Sequence, residues 1–277
     1  MPQLPGLVVE PEWLLAQIDH PALRLLDVRW ALPDGSDQDG YRSGHIPGAR
    51  FIDLDRELAS TPGPAGRHPL PTVERFTQAM QRAGVSANSL VVVYDNGTAA
   101  AARAWWLLRA AGHPQVAVLD GGLAAWTSGG GGLELGNVSS EPGDFEAVAF
   151  DGWVSADQAV ALITAGQLVL DARSRERFRG QASPLDHRPG HIPGARNLPW
   201  TEVYPEGRVA PAAEIASTVA EITGTAHRPA VAYCGSGVTA CALILALESA
   251  QVTGVRLYPG SWSEWAQDPD RPVELGE

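Results

Sequence analysis

Short apolar runs alternate with amphipathic segments along the chain, and this alternation predicts strands followed by helices. The segment Glu10–His20 has the spacing of a short amphipathic helix, and the apolar run Leu23–Trp30 after it indicates a strand that carries Asp27 near its end. A second apolar run, Leu168–Arg173, carries Asp171 in the same way. Strands that alternate with helical segments are typical of a parallel sheet flanked by helices, so we expect an α/β fold.

The same succession of features occurs twice. The hexapeptide His-Ile-Pro-Gly-Ala-Arg begins at His45 and again at His191, and an apolar run precedes Asp95 in the first half and Cys234 in the second. A repeat of roughly 140 residues has the size of a domain and is far longer than a solenoid unit. The sequence therefore predicts a first domain over residues 1–132, a polar linker over 133–151 and a second domain over 152–277.

The repeated hexapeptide is interpreted as a structural turn. Glycine and proline fix its backbone, and we expect His45 and His191 to hold the turn by hydrogen bonds. Asp27 and Asp171, at the ends of strands, are expected to bind nearby loop amides rather than to take part in chemistry.

Cys234 lies where a buried strand gives way to a loop with two glycines and then to a helix. In such a loop successive backbone N–H groups can point inward, and the helix N-terminus adds partial positive charge, so a thiolate would be stabilised there. The alternative is that Cys234 is a small core residue at the end of a strand. Cys241 falls among the apolar residues of the helix and is expected to serve packing only.

Composition narrows the function classes. The net charge of −12 and the isoelectric point of about 5.0 argue against nucleic acid or an anionic membrane as a partner. A membrane-spanning helix needs about 20 apolar residues, and no apolar run in the sequence approaches that length. Met1–Pro5 lacks the character of a targeting signal. Two cysteines cannot form a disulfide framework, which fits a reducing compartment, so a cytoplasmic location is expected. The cysteines and seven histidines show no metal-ligand spacing, and no cofactor is expected.

The stretch that begins at Cys234, Cys-Gly-Ser-Gly-Val-Thr-Ala-Cys, resembles the active-site loop of the two-domain sulfurtransferases of the rhodanese superfamily. It is most similar to the 3-mercaptopyruvate branch, because the thiosulfate branch has basic residues where this chain has Gly235 and Ser236. The resemblance covers nearly the whole chain and implies two tandem rhodanese-like domains, each a mainly parallel β-sheet flanked by helices. It also implies that Cys234 carries sulfur as a persulfide, cradled by the loop that includes Gly235, Gly237, Val238 and Thr239.

The resemblance implies two arginines that bind the carboxylate of the substrate, for which the planar guanidinium is well suited. Arg177, in the segment Arg-Phe-Arg-Gly, takes the place of the first. The second follows in a loop that is shorter here than in the family, and Arg188 is our choice, with Arg179 as the alternative.

Three further residues match positions proposed to act together in the mercaptopyruvate branch. Ser236 would donate a hydrogen bond to the substrate's carbonyl or developing enolate oxygen, oriented by His68 and, behind it, Asp55. The alternative for His68 is an exposed loop residue, and for Asp55 a helix cap.

The function that the resemblance implies is transfer of sulfur from 3-mercaptopyruvate through Cys234 to a thiol acceptor or cyanide, with release of pyruvate. The first domain would be catalytically silent because Asp95 cannot form a persulfide. Thioredoxin, a small thiol and a dedicated partner protein remain open as the acceptor. The alternatives are a thiosulfate sulfurtransferase, a cysteine phosphatase, which would need an arginine that this loop lacks, and a non-enzymatic binding module.

Overall fold

The computed structural model describes residues 3–223 and 229–276, and the chain folds into two compact units. Met1 and Pro2, which entered the expectation about targeting, lie outside the described residues. Unit 1 comprises Met1–Ser60, Pro71–Asp151 and Glu206–Val209, and unit 2 comprises Thr61–Leu70, Gly152–Pro205 and Ala210–Glu277.

Unit 1 is built on a parallel sheet of five strands in the order β1-β7-β6-β2-β5, and the pair β3 and β4 forms a small antiparallel hairpin. The central strand β6 is apolar and buried throughout, as expected for a strand covered on both faces. The strands are β1 Val8–Val9, β2 Leu23–Asp27, β3 Trp30–Ala31, β4 Gly35–Ser36, β5 Arg50–Phe51, β6 Leu90–Tyr94 and β7 Val116–Leu119.

The predicted strand Leu23–Trp30 ends earlier than its apolar pattern suggests. Strand β2 stops at Asp27, whose Oδ1 accepts a hydrogen bond from the backbone N–H of Arg29 at 3.1 Å. This local bond turns the chain, and Trp30 starts the separate hairpin.

Helices cover the sheet of unit 1. Helix α5, which is rich in alanine, packs against β6 and β7 and is buried along most of its length. Helix α1 begins with a proline directly after its N-cap Glu10, a favourable first position for proline, and it ends at Gln17, three residues before the predicted end at His20. The helices are α1 Pro11–Gln17, α2 Gln38–Ser43, α3 Leu54–Glu57, α4 Val73–Arg82, α5 Ala100–Ala110 and α6 Gly122–Ser128.

The polar stretch 133–151, interpreted above as a linker, is hydrogen-bonded to other segments of unit 1. Glu134 and His45 exchange backbone hydrogen bonds of 2.9 and 3.0 Å, and the N–H of Gly143 donates to the carbonyl of Gln81 at 2.8 Å. Phe145 is buried there. The domain boundaries given above stay predictions.

Unit 2 repeats the architecture with a parallel sheet in the order β11-β10-β8-β9. Trp153 forms a parallel bridge to Leu257 beside β11, at the position that β1 holds in unit 1. The strands are β8 Leu168–Asp171, β9 Arg196–Asn197, β10 Pro229–Tyr233 and β11 Arg256–Leu257.

The helices of unit 2 flank this sheet, and α10 packs against β10. Among the described residues, none of the helices has the length and apolar character needed to cross a bilayer. The helices are α7 Ala156–Thr164, α8 Arg175–Arg179, α9 Ala212–Thr223, α10 Thr239–Ser249 and α11 Ser261–Trp265, and 3₁₀ turns are formed by Trp200–Glu202 and Pro205–Gly207.

The repeated hexapeptide forms the same turn in both units. In unit 2 the Nδ1 of His191 lies 2.7 Å from the carbonyl oxygen of Phe178, and the two rings stack with centroids 3.6 Å apart. The N–H of Ile192 donates to the hydroxyl of Tyr233 at 3.2 Å. In unit 1, His45, Tyr41, Ile46 and Tyr94 make the matching contacts. The predicted structural role of the two histidines is therefore confirmed.

The aspartates at the strand ends are also structural. Both oxygens of Asp171 accept hydrogen bonds from Arg173, whose guanidinium also donates to the carbonyl of Gly190 at 2.8 Å. Asp27 and Arg29 repeat this pair in unit 1. Each pair is buried, and removal of one partner would leave an uncompensated charge in the core.

Candidate active site

Cys234 lies directly after β10, and the loop Gly235–Val238 leads into α10. Its side chain is buried, and its Sγ accepts a hydrogen bond from the backbone N–H of Gly237 at 3.1 Å. The N–H of Cys234 donates to the Oγ of Ser261 at 3.1 Å, and its carbonyl accepts from the N–H of Trp262 at 2.9 Å. The predicted strand, loop and helix around the cysteine are therefore present, and one inward-pointing amide contacts the sulfur.

Gly237 is needed for this turn of the loop. Its φ is +78°, a conformation that side chains of L-residues rarely adopt. A Cβ at this position would also lie 2.5 Å from the carbonyl oxygen of Pro259. Any larger residue would therefore move the N–H that donates to Cys234.

The start of α10 supplies the rest of the loop's frame. Val238 is the buried residue that precedes α10, and Thr239 is the first residue of the helix. Cys241 is fully buried in α10, where its thiol donates to the carbonyl of Gly237 at 3.2 Å. These contacts are those of a packing residue, as the sequence predicts for Cys241.

Two guanidinium groups lie against the loop beside Cys234. A Cβ built on Gly235 would stand 2.9 Å from the Nη2 of Arg177 and 3.1 Å from the Nη2 of Arg67. Burial lowers the pKa of Arg67, and the charge of Arg177 lowers it further, while Cys234 and Asp186 act in the opposite direction. Arg67 and Arg177 thus bring cationic charge to the place where the loop itself has none.

Arg67 was not singled out from the sequence. Its backbone N–H donates to the Oγ of Ser263 at 2.9 Å, and its Nη1 donates to the carbonyl of Leu185 at 2.8 Å. These partners are distant from Arg67 in the sequence, so local pattern could not identify them. The only sequence signal for Arg67 was its position next to His68, which was predicted as a site residue.

The guanidinium of Arg177 forms a bidentate ion pair with the carboxylate of Asp186. Its Nε donates to Oδ2 of Asp186 at 2.8 Å, and its Nη2 donates to Oδ1 at 2.6 Å. The side chain of Asp186 is 5% exposed. The bidentate pair fixes the plane of the Arg177 guanidinium.

Arg188, predicted to be the second substrate arginine, is engaged elsewhere in unit 2. Its Nε donates to the carbonyl of Ala266 at 3.1 Å, and its Nη2 donates to those of Asp268 and Arg271 at 2.8 and 3.1 Å. These bonds tie down the segment after α11. They do not support a role in substrate binding, which stays a prediction from the family resemblance. The alternative, Arg179, is exposed at the end of α8.

The structure brings Ser236 and His68 together. The Nδ1 of His68 lies 2.7 Å from the Oγ of Ser236, and both residues are buried. Because Thr61–Leu70 belongs to unit 2, this contact lies within one unit. The alternative of an exposed loop histidine is therefore wrong.

Asp55 belongs to unit 1, where it lies in the first turn of α3. Both of its carboxylate oxygens accept hydrogen bonds from the Nε1 of Trp30 at 3.1 Å, and one lies 3.5 Å from the Oγ of Ser36. Its predicted role in orienting His68 stays a prediction.

In unit 1 the matching loop holds a carboxylate in place of a thiol. Asp95 accepts hydrogen bonds from the N–H groups of Gly97 at 2.6 Å, Thr98 at 3.3 Å and Ala101 at 2.8 Å. Burial raises the pKa of Asp95, while these amides oppose the change. A loop of this type can therefore direct several N–H groups toward an anion at the cysteine position.

The comparisons with known proteins agree with this architecture. The family model described as the rhodanese-like domain matches residues 10–129 and 155–268. A probable 3-mercaptopyruvate sulfurtransferase of Pseudomonas aeruginosa is 44% identical over 274 residues, covering 95% of this chain and 96% of the relative. A putative thiosulfate sulfurtransferase of Mycobacterium tuberculosis is 42% identical, covering 91% of this chain and 90% of the relative.

Among solved structures, the crystal structure of SseA from Escherichia coli, described as a 3-mercaptopyruvate sulfotransferase with a rhodanese fold, is similar to this chain. It has a TM-score of 0.84 and 38% sequence identity, covering 94% of this chain and 100% of the other. The predicted fold of two rhodanese-like domains is thereby confirmed. The chain belongs to the rhodanese family, as a sulfurtransferase built from two rhodanese-like domains.

Proposed function

We propose that this protein transfers the sulfur of 3-mercaptopyruvate through a persulfide on Cys234 to a thiol or cyanide, and releases pyruvate. The observation that carries the proposal is the position of the Cys234 sulfur, which accepts the N–H of Gly237 in a loop lined by the guanidiniums of Arg67 and Arg177. A nucleophilic sulfur beside two cations suits a donor that carries a carboxylate close to its sulfur.

In the first half-reaction the Cys234 thiolate attacks the donor's sulfur, and the bond between that sulfur and carbon breaks. The electron pair of this bond passes to the carbon as an enolate, which takes up the proton that the donor thiol loses and becomes pyruvate. Cys234 is left as a persulfide anion. In the second half-reaction a thiol or cyanide takes the outer sulfur and restores the thiolate.

Ser236 and His68 would act on the donor's carbonyl group. With its proton on Nδ1, His68 donates to the Oγ of Ser236 across 2.7 Å, and the hydroxyl proton then turns toward the carbonyl oxygen. This donor strengthens its interaction as the enolate develops, so it stabilises the transition state more than the bound substrate. Asp55 behind His68 is part of the proposal through the family resemblance alone.

Removal of the Ser236 hydroxyl is expected to slow the first half-reaction. We expect Ser236→Ala to lower kcat by roughly 10- to 100-fold with little change in KM, because the lost bond acts mainly in the transition state. Single-turnover release of pyruvate measures this step directly. His68→Gln should have a similar effect, and the double variant should be no worse than the more severe single variant, because the two residues act as a pair. Additive losses would contradict the pairing.

A second candidate function is thiosulfate sulfurtransfer. One observation favours it: Arg67 and Arg177 place cationic charge over Gly235, so the loop's lack of basic residues does not make the site neutral. The name of the Mycobacterium tuberculosis relative, a putative thiosulfate sulfurtransferase, points to the same reaction.

A comparison of donors distinguishes the two functions. We expect kcat/KM for pyruvate release from 3-mercaptopyruvate to exceed kcat/KM for thiocyanate formation from thiosulfate and cyanide by at least about tenfold. Mass spectrometry of the protein after donor alone should find one added sulfur atom on the peptide that contains Cys234. A preference for thiosulfate would select the second candidate, and a donor-dependent product without added sulfur would exclude the persulfide.

The acceptor and the location are separate parts of the proposal. A thiol acceptor must reach the outer sulfur of the Cys234 persulfide. Thioredoxin, a small thiol and a dedicated partner protein stay the predicted alternatives for this acceptor. The cytoplasmic location stays a prediction, made from cysteine usage.

A further inference from the structure

The charges around Cys234 come from residues of unit 2 that are distant in the sequence. Arg67 and Arg177 are the cations whose Nη2 atoms approach Gly235, at 3.1 and 2.9 Å from the position a Cβ would take there. Each guanidinium stays charged in a protein, so the pair contributes two positive charges beside the nucleophile.

Asp186 removes one of these charges. It engages Nε and Nη2 of Arg177 with both oxygens, at 2.8 and 2.6 Å. Its Oδ2 also lies 3.5 Å from Nη1 of Arg173, but that arginine is already compensated by Asp171 at 2.6 Å. Because Asp186 is only 5% exposed, its charge is screened far less than that of a surface carboxylate.

The sum over Arg67, Arg177 and Asp186 is one net positive charge. We propose that Asp186 is a specificity-determining residue, which makes the donor site a site for a monoanion such as a 2-oxo carboxylate and disfavours a dianion such as thiosulfate. The inference rests on the proposed function and extends it from the nucleophile to the choice of donor.

The same contacts determine how a carboxylate would bind. Asp186 occupies the Nε and Nη2 side of Arg177, and the carbonyl of Leu185 accepts from Nη1 of Arg67. The donor carboxylate would therefore bridge Nη1 of Arg177 and Nη2 of Arg67, one oxygen to each arginine. A dianion in this place needs a second positive charge, which Asp186 has already neutralised.

The test is the ratio of kcat/KM for thiosulfate to kcat/KM for 3-mercaptopyruvate. Asp186→Asn keeps one oxygen acceptor for Arg177 and removes the negative charge, so we expect the ratio to rise at least about tenfold. Asp157→Asn removes the same charge from an exposed residue of α7 and should leave the ratio unchanged. An Asp186→Asn ratio equal to that of Asp157→Asn would overturn the inference.

A second variant changes the net charge of the three groups in the opposite direction, and it tests the inference if Asp186→Asn does not fold. Arg67→Gln lowers the net charge of residue 67, Arg177 and Asp186 to zero. Because a dianion loses more electrostatic attraction than a monoanion, the ratio of kcat/KM for thiosulfate to kcat/KM for 3-mercaptopyruvate should fall. A rise of the ratio in Arg67→Gln would overturn the inference. Failure of the proposed function looks different, since the wild-type protein would then release no pyruvate from 3-mercaptopyruvate before any variant is compared.

Discussion

Replacement of Cys234 by serine is expected to lower kcat/KM for 3-mercaptopyruvate by at least about 10⁴-fold. The geometry of the loop should persist, because serine is close in size and can still accept the N–H of Gly237. A hydroxyl, however, is far less ionised than a thiol and cannot hold sulfur as a persulfide. The measurement is steady-state pyruvate release, together with the mass of the protein after exposure to donor.

Cys241 provides the matched control for this substitution. It is the other cysteine of the chain, fully buried in α10, and its thiol donates to the carbonyl of Gly237. Cys241→Ser retains that donor, so we expect activity within about threefold of wild type. Substantial pyruvate release by Cys234→Ser, or loss of the persulfide in Cys241→Ser, would show that Cys234 is not the residue that carries the sulfur.

The second large effect is expected for Arg67, which the structure places beside Arg177. Arg67→Met should lower kcat/KM for 3-mercaptopyruvate by roughly 10- to 100-fold, mainly through a higher KM, because it removes a charged hydrogen bond to the donor carboxylate. The free energy of unfolding should change little, since the Arg67 side chain contributes one described bond, to Leu185. Initial-rate kinetics and urea unfolding measure the two effects separately.

Arg188→Met is the matched control and should show the opposite pattern. Its guanidinium donates to carbonyls after α11, so its removal should lower the free energy of unfolding by about 2–4 kcal/mol and leave KM nearly unchanged. If Arg188→Met raises KM while Arg67→Met does not, the second substrate arginine is the one chosen from the sequence.

Local pattern was sufficient for the architecture and for the strand, loop and helix around Cys234. The apolar run before Cys234 and the glycines after it dictate a strand and a tight turn, and both depend on residues adjacent in the chain. The hexapeptide turns at His45 and His191 were predictable for the same reason, because glycine and proline fix their backbone. The pairing of Ser236 with His68 came from family resemblance, since 168 residues separate them.

The partners of the charged side chains could not be predicted from the local sequence pattern. An arginine has a long, flexible side chain, and its partner depends on which distant segment the fold brings within reach. Arg67 finds Leu185 at a separation of 118 residues, and Arg188 finds Asp268 at a separation of 80. The family resemblance favoured Arg188 because the family's second arginine lies in that stretch, but the described bonds of Arg188 go to carbonyls at and after the end of α11.

The sequence by itself determined the duplicated α/β architecture, the strand, loop and helix that present Cys234, and the family, because each depends on short-range pattern and motif. Only the tertiary structure added Arg67 to the predicted Arg177 beside that cysteine and identified Asp186 as the carboxylate that pairs with Arg177. Electrostatic contacts depend on distance in space, and for Arg67, Arg177 and Asp186 that distance is set by the packing of unit 2.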